Sequence, residues 1–451
     1  MWNKCVYNSV FSTGCQDMKN RAKPVYLIAL LLAVCTILAL TAVPSPSDTS
    51  SDSWPNYGRD AGGMRYSPLT QITRDNVSQL KVAWTFHTGD VSEGGGRRKR
   101  SGFETTPLLV DGTLFLTTAF NRIIALDPET GQQRWAYDPK IDLDGDYGDG
   151  LINRGVATWL DTTRSAKQLC HRRIFESTQD ARLVAVDAAT GAPCADFGKD
   201  GQVSLREVLQ YHPGWYHMTS PPAIIDDLVV VGSAIDDNHR VDMARGVVRA
   251  YDARSGALRW SWDPLPANPT AAAAEGKSPS WRSGAGNAWS IMVVDQGRDL
   301  LFVPTGSASP DYYGGLRPGD DKWSNSVVAL RGKTGQLVWG FQLVHHDLWD
   351  FDSAAPPLLA TLRVDGKDVP VVIQGNKSGA MYPAKLLRPH SPSQSSHLRS
   401  LRKLFLPTKL GDQLPRIAIG AEITFRASAT KAFLRRPAFK ALSWYPETSA
   451  A

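Results

Sequence analysis

The chain has 451 residues, 42% of them hydrophobic and 21% charged, with 38 Gly, 29 Pro and 14 Trp. A chain of this length buries a large core, its composition excludes collagen-like and generally disordered classes, and its single long apolar run excludes a polytopic membrane protein. The formal charge of +6 sits at the end: Ala384 onward holds 12 Lys and Arg against 3 Asp and Glu, leaving 38 against 41 before it. The body therefore has no basic excess, and a nucleic-acid partner has no electrostatic support.

In chain order, the first element is the apolar run at residues 25–43, with Leu27, Ile28, Leu30, Leu31 and Leu32. Lys19, Arg21 and Lys23 precede it, and Ser45, Ser47 and Asp48 follow. A basic flank, an apolar stretch and a polar boundary make an export leader. The run is also near the length of a bilayer span, so residues 1–43 are either a cleaved signal peptide or a retained anchor helix. Met18 opens a more typical leader than Met1, so residues 1–17 are expected to be an over-called start. The expected location is the periplasm, with inner-membrane attachment through residues 25–43 as the anchor alternative. Residues 44–53 serve as a linker. Beyond the leader only Cys170 and Cys194 remain. An oxidising compartment allows them to pair, and two free buried thiols are the alternative.

A phrase then recurs along the chain. It reads Ile124-Ala125-Leu126-Asp127-Pro-Glu-Thr-Gly131-Gln-Gln-Arg-Trp135 and returns as Val184-Ala185-Val186-Asp187-Ala-Ala-Thr-Gly191. It appears again as Arg249-Ala250-Tyr251-Asp252-Ala-Arg-Ser-Gly256-Ala-Leu-Arg-Trp260, and as Val328-Ala329-Leu330-Arg331-Gly-Lys-Thr-Gly335-Gln-Leu-Val-Trp339, where Arg331 replaces the Asp. Each copy has the pattern of a strand, a tight turn and a second strand. The Asp caps backbone donors, the Gly takes a positive φ, and the Trp is free to pack on a neighbouring unit. Further short strands are expected at 114–118, 224–232 and 300–303. About four short strands per unit is the make-up of a propeller blade. The fold class is thus all-β: a β-propeller of roughly five blades over residues 54–382, with residues 80–86 around Trp84 expected as a strand of a closing blade.

Trp54-Pro-Asn-Tyr-Gly-Arg59, Phe103-Glu104-Thr-Thr-Pro107, the Trp-bearing repeats and the stretch His345-His346-Asp347-Leu348-Trp349-Asp350-Phe351-Asp352 followed by Gly375-Asn376-Lys377-Ser378-Gly379 resemble the quinoprotein dehydrogenases, which use pyrroloquinoline quinone (PQQ). Within that family the likeness is greatest to the membrane-associated glucose dehydrogenase type. The resemblance implies an eight-bladed propeller, incomplete here, with PQQ on its axis. It also implies oxidation of a sugar or alcohol hydroxyl and a membrane quinone as electron acceptor.

Alcohol oxidation requires a base for the hydroxyl proton, and the resemblance gives that role to Asp350. Taken alone, Trp-Asp-Phe-Asp is equally a solvated strand-end turn. Lys377 would face a quinone oxygen, and Arg154 would pair with a carboxylate of the tricarboxylic cofactor. The resemblance adds Glu104, Thr219 and Ser220 as cofactor contacts, and Trp289 as a ring to stack on the quinone. Asp237 and Asn238, with Asp236 as a one-residue alternative, would hold Ca²⁺ or Mg²⁺. Ser307 stands where alcohol-type members place an Asn ligand, and the adjacent-cysteine ring of those members is missing before Asn153. His345 and His346, if on a strand, point to opposite faces and so would not share one ion; a place near Asp350 is expected for them.

After Gly379 the pattern stops. Residues 383–451 form a basic, atypical tail, with 398–406 able to make an amphipathic helix, and the preferred account is a frameshifted or decayed frame. An open propeller exposes sheet edges, so weak cofactor retention and little turnover are expected. A non-catalytic envelope propeller is the second reading. It has no need of Asp350, Lys377 and Arg154 together.

Overall fold

The structure, a computed structural model, describes residues 53–206, 212–238, 240–265, 267, 276 and 283–385. The leader or anchor, nearly all of the linker and the tail beyond Lys385 lie outside the described residues. Among the described residues no helix is long and apolar enough to cross a membrane.

Among the described residues five antiparallel meanders follow one another with the make-up of propeller blades, and they are numbered as such. Blade 1 comprises Leu108–Val110, Thr113–Thr117, Ile123–Leu126 and Gln133–Tyr137. Blade 2 comprises Ala157–Leu160, Arg172–Ser177, Arg182–Asp187 and Gln202–Ser204. Blade 3 comprises Ala223–Ile225, Leu228–Val231, Val248–Asp252 and Leu258–Trp262. Blade 4 comprises Val293–Asp295, Leu300–Pro304, Ser326–Arg331 and Leu337–Gln342. The fifth sheet has three strands, Leu358–Val364, Lys367–Gly375 and Met381–Lys385. The first strands of blades 2 to 5 touch in succession, so they line a common axis.

Burial explains the strand pattern. The second and third strands of blade 1 are wholly buried, in a cluster that blade 2 closes together with Trp54, Trp84 and Phe86. Its outer strand buries only Trp135 of Gln133–Tyr137 and leaves charged and amide residues at the rim. The apolar clusters lie between blades. Ile124 and Trp135 of blade 1 meet Ile174, Val184 and Val186 of blade 2. Val230 and Trp260 of blade 3 meet Val294, Leu301 and Val328 of blade 4. Core formation is thus a matter of stacking one unit on the next.

The repeated phrase forms the third strand, the turn and the fourth strand of blades 1, 3 and 4. Asp127 Oδ1 accepts from the backbone N–H of Glu129 and Thr130 at 3.0 and 2.9 Å, and Gly131 takes φ +72°. Asp187 and Asp252 repeat the arrangement. In the copy that carries Arg331, Asp299 of the preceding turn supplies the missing carboxylate and accepts from Lys333 N at 3.0 Å. The tryptophans dock on the next blade's turn. Trp135 Nε1 donates to Ala188 O at 3.1 Å and covers Gly191, and Trp260 Nε1 donates to Gly332 O at 2.8 Å and covers Gly335. Blade 2 has no such tryptophan. There the chain turns through Cys194, which is bonded to Cys170, before its last strand pairs.

Residues 80–86 form no strand of these sheets, yet Trp84 lies over Gly131 with Nε1 donating to Pro128 O at 3.2 Å, the same docking that Trp135 and Trp260 make on their next blades and the one an outer strand ahead of blade 1 would make. One expectation needs correction. Residues 224–232 are two strands and not one, because Asp226, at φ +49°, turns the chain between Ile225 and Leu228.

The segment after the linker crosses the axis. Trp54 pairs with Leu109 of blade 1, Ala61 O accepts from Val294 N of blade 4 at 2.8 Å, and Gly62 O accepts from Leu359 N of blade 5 at 2.9 Å.

Candidate cofactor-binding and catalytic site

The chemistry-bearing residues sit just ahead of the first strand of successive blades. Glu104 precedes blade 1, Arg154 blade 2, Thr219 and Ser220 blade 3, Trp289 blade 4, and Asp350 and Asp352 blade 5. Because those strands line the axis, their leading loops open into one hollow. Lys377 enters it from the turn between the second and third strands of blade 5.

The geometry joins them. Arg154 pairs with Glu104 at 3.0 Å and donates from Nη1 to Thr219 Oγ1 at 2.5 Å. The guanidinium carbon of Arg154 lies 5.2 Å from the centre of the Trp289 ring, and the Lys377 ammonium 5.8 Å from the same ring. Two cations over one indole is a cation–π arrangement. Lys377 Nζ pairs with Asp350 at 2.8 Å and with Asp352 at 2.9 Å. Trp289 Nε1 donates to Asp352 at 3.0 Å, and Ser220 Oγ donates to Trp289 O at 2.5 Å. Asp350, Lys377, Arg154, Trp289, Thr219, Ser220 and Glu104 thus form one connected set.

A carboxylate cluster borders it. Burial, reinforced by the Asp352 charge, pushes Asp350 up to about 6 against the pull of Lys377. Burial also raises Asp311 to about 7, with the Asp352 and Asp350 charges adding to it. Asp237 is raised well above the carboxylate range by burial and by Asp311 and Asp352. Burial disfavours the Lys377 ammonium, yet the charges of Asp352 and Asp350 outweigh it and raise its pKa. Asp237 faces Asp311, and the Asp236 carboxyl lies against Gly148. Asn238 is exposed. Mutually repelling buried carboxylates are the donor chemistry that a hard divalent cation relieves. Among the described residues, no group of three or more His, Cys, Asp or Glu has the geometry to hold an ion without further donors.

Several residues escaped sequence reasoning. Asp352 sits in the same string as Asp350, and only the fold shows that it shares Lys377. Asp347 is buried and accepts from the backbone N–H of Trp349 and Phe351 at 3.0 and 2.6 Å, which shapes the turn that carries Asp350. Ser307 joins this network, donating to Asp347 at 2.8 Å, while its backbone N–H donates to Asp352 at 2.6 Å. The exposed Tyr312 phenol reaches Asp350 at 3.4 Å. Asp149 meets the buried His217 at 3.2 Å; burial raises its pKa, but that partner and the Arg154 and Lys377 charges outweigh burial and lower it. The expectation for His345 and His346 fails. They lie in a bend and not on a strand, and they turn to Asp320 and to Gly319 O at 3.6 and 2.8 Å.

Residues 54–383 match the family model described as "PQQ: Glucose/ethanol/alcohol dehydrogenase, beta-propeller domain". The chain belongs to this family. It is 39% identical over 356 residues to quinoprotein glucose dehydrogenase A of Acinetobacter calcoaceticus, with 76% of this chain and 44% of that protein covered. It is likewise 39% identical over 363 residues to a quinate/shikimate dehydrogenase (quinone) of Acinetobacter baylyi, with the same coverage, 76% and 44%. Among solved structures, the quinohemoprotein alcohol dehydrogenase of Comamonas testosteroni superposes with a TM-score of 0.62 at 27% identity, over 75% of this chain and 48% of that one. The quinoprotein chain therefore spans a little under half the length of these relatives.

Proposed function

We propose that the hollow binds PQQ and that the protein oxidises a sugar or alcohol hydroxyl of the glucose type. The observation that carries this reading is the convergence of Arg154 and Lys377 over the Trp289 indole, with Lys377 also holding Asp350. A flat, polyanionic ring system matches two cations and an aromatic face. When bound, PQQ supplies the electrophile that takes the hydride. Arg154 binds a cofactor carboxylate, with Thr219 and Glu104 fixing its direction. Trp289 offers the stacking face, held by Ser220 and Asp352. Asp350 takes the hydroxyl proton: at about 6 it is mainly ionised at neutral pH, yet basic enough to hold a proton in transit. Lys377 keeps that carboxylate in place and sets a positive charge where reduction adds negative charge. Asp237, with Asp311 beside it and Asn238 at the rim, holds Ca²⁺ or Mg²⁺.

The same reading places the protein in the periplasm, with electrons passing to a membrane quinone. The likeness of the chain to glucose, glycerol and quinate enzymes leaves the substrate at the level of sugars, polyols and alcohols. The test is titration of the purified chain with PQQ and Ca²⁺, followed by indole fluorescence and then by dye-coupled oxidation of glucose, glycerol and ethanol. Saturable quenching that Arg154→Ala and Lys377→Met abolish is expected. Absence of quenching at micromolar PQQ overturns the reading.

A further inference from the structure

Arg154 is held from behind by a network that no step of the proposed chemistry uses. Asn153, buried at 1% exposure, spends its whole amide on three pieces of chain. Its Oδ1 accepts from Thr117 Oγ1 of blade 1 at 2.8 Å and from Gly155 N at 2.9 Å. Its Nδ2 donates to Glu176 Oε1 of blade 2 at 3.1 Å and to Ser177 O at 3.2 Å. Arg154 itself donates its backbone N–H to Thr219 O of the blade 3 loop at 2.8 Å, and its carbonyl accepts from Thr106 N at 3.1 Å. The peptide bearing the guanidinium is thereby tied to three blades.

Glu176 is the unusual member. It has no exposed surface, its Oε1 meets a neutral amide, and its Oε2 has no partner among the described residues. The charged groups around it are Asp180, Asp138 and Arg182. Arg182 is already committed to Asp180 at 2.7 Å and to Pro139 O at 2.8 Å. A carboxylate with no dedicated cation is strongly disfavoured in so buried a place. Tyr137 lies close enough for Glu176 to act on its pKa as well.

We propose that Asn153 and Glu176 are positioning residues for Arg154, and that Glu176 performs this task as an un-ionised acid. The un-ionised carboxyl presents a carbonyl oxygen to Asn153 at no cost in buried charge, and Asn153 in turn fixes the peptide from which Arg154 projects. Burial acts first in raising the Glu176 pKa well above its ordinary value, with Asp180 and Asp138 adding to it, which agrees with the geometry. The assignment of Arg154 to the cofactor rests on the function proposed above; the hold on Arg154 does not.

The experiment uses the full chain and the variants Glu176→Gln and Glu176→Leu. The infrared difference between wild type and Glu176→Gln at neutral pH reads the ionisation state. Loss of the carbonyl stretch of a protonated carboxylic acid is expected, and loss of carboxylate bands overturns the proposal. Phenylglyoxal modification of Arg154, mapped by mass spectrometry, reads the hold. The amide isostere keeps the acceptor, so the Glu176→Gln rate stays within about 2-fold of wild type, whereas Glu176→Leu, which leaves the Asn153 amide unpaired, raises it roughly 10-fold. Equal rates in all three proteins, or a Glu176→Gln rate as fast as Glu176→Leu, overturn the proposal. If Glu176→Leu fails to fold, Asn153→Asp, which sets a second carboxyl against Glu176, takes its place with the same expected rise. Adding PQQ to the modification reaction separates the two readings. Failure to protect Arg154 in the wild type sinks the cofactor assignment, while the rates still decide the positioning role.

Discussion

The docking of each tryptophan on the next blade's turn makes a matched pair of glycine substitutions informative. Gly335 and Gly366 both sit in tight turns with positive φ, +69° and +75°. A Cβ at Gly335 meets Trp260 Cε3 at 2.5 Å and Cδ2 at 2.6 Å, whereas a Cβ at Gly366 meets nothing within 4 Å. Alanine therefore costs the left-handed backbone strain at both sites, about 1–2 kcal/mol. At Gly335 it must also displace a buried indole, which adds about 1–3 kcal/mol of overpacking. Moving the ring stretches its hydrogen bond to Gly332 O, now 2.8 Å, which adds about 1 kcal/mol. Gly366→Ala should thus lower stability by about 1–2 kcal/mol and Gly335→Ala by about 3–6 kcal/mol. Urea unfolding followed by tryptophan fluorescence reads both, and m values that stay equal show that only stability has changed. If the two variants lose the same amount, the tryptophan-on-turn contact is not what joins blade 3 to blade 4.

Four further outcomes follow from the structure. Reduction of the Cys170–Cys194 bond, which closes a loop of sequence separation 24, should lower the urea midpoint by an amount equal to about 3 kcal/mol. Lys377 lowers the pKa of Asp350, so Lys377→Met should move the Asp350 carboxyl titration, followed by ¹³C NMR, upward from about 6. The raised pKa values of Asp311 and Asp350, about 7 and about 6, mean that the native state binds more protons than the unfolded chain. Their stabilising contribution is full below the unfolded carboxylate range and is lost as pH rises through about 6 to 7, so thermal stability should fall across that window and Ca²⁺ should restore it at neutral pH. Both ring nitrogens of His217 face acceptors, Gly214 O at 3.1 Å and Asp149 at 3.2 Å. Asp149→Ala removes one of them, and leaving that ring nitrogen of the buried His217 unpaired should lower the urea midpoint by an amount equal to about 1–3 kcal/mol.

The blades were readable because the phrase that repeats is the phrase that turns. Asp127, Thr130 and Gly131 contact one another within a few residues, so their pattern is local and periodic. Residues 224–232 show the limit of that signal: the apolar run reads as one strand, and only the backbone at Asp226 reveals the turn that divides it. Arg154, Lys377 and Asp350 were found by resemblance, and nothing local in their sequence marks them as neighbours. Asp352 and Asp347 stood in view within the quoted stretch, yet their roles depend on Lys377, Trp289 and Ser307, which reach them from other loops. Glu176 carried no signal at all: in Arg172–Ser177 it is one of four polar residues beside Ile174 and Phe175, and only its burial gives it meaning.

The segment from Trp54 to Gly62 acts on the arc of blades as a bowstring acts on a bow. It is fastened to blade 1 at one end and to blades 4 and 5 at the other, so the distance between the limbs is set by covalent chain and backbone hydrogen bonds instead of by the cumulative stagger of four interfaces. Small errors in each stacking step would otherwise accumulate where Arg154, paired with Glu104 of the first blade's leading loop, must meet Trp289 and, over the same ring, Lys377. A cut in the cord, for example by trypsin at Arg59, would let the limbs spread while every sheet stayed intact.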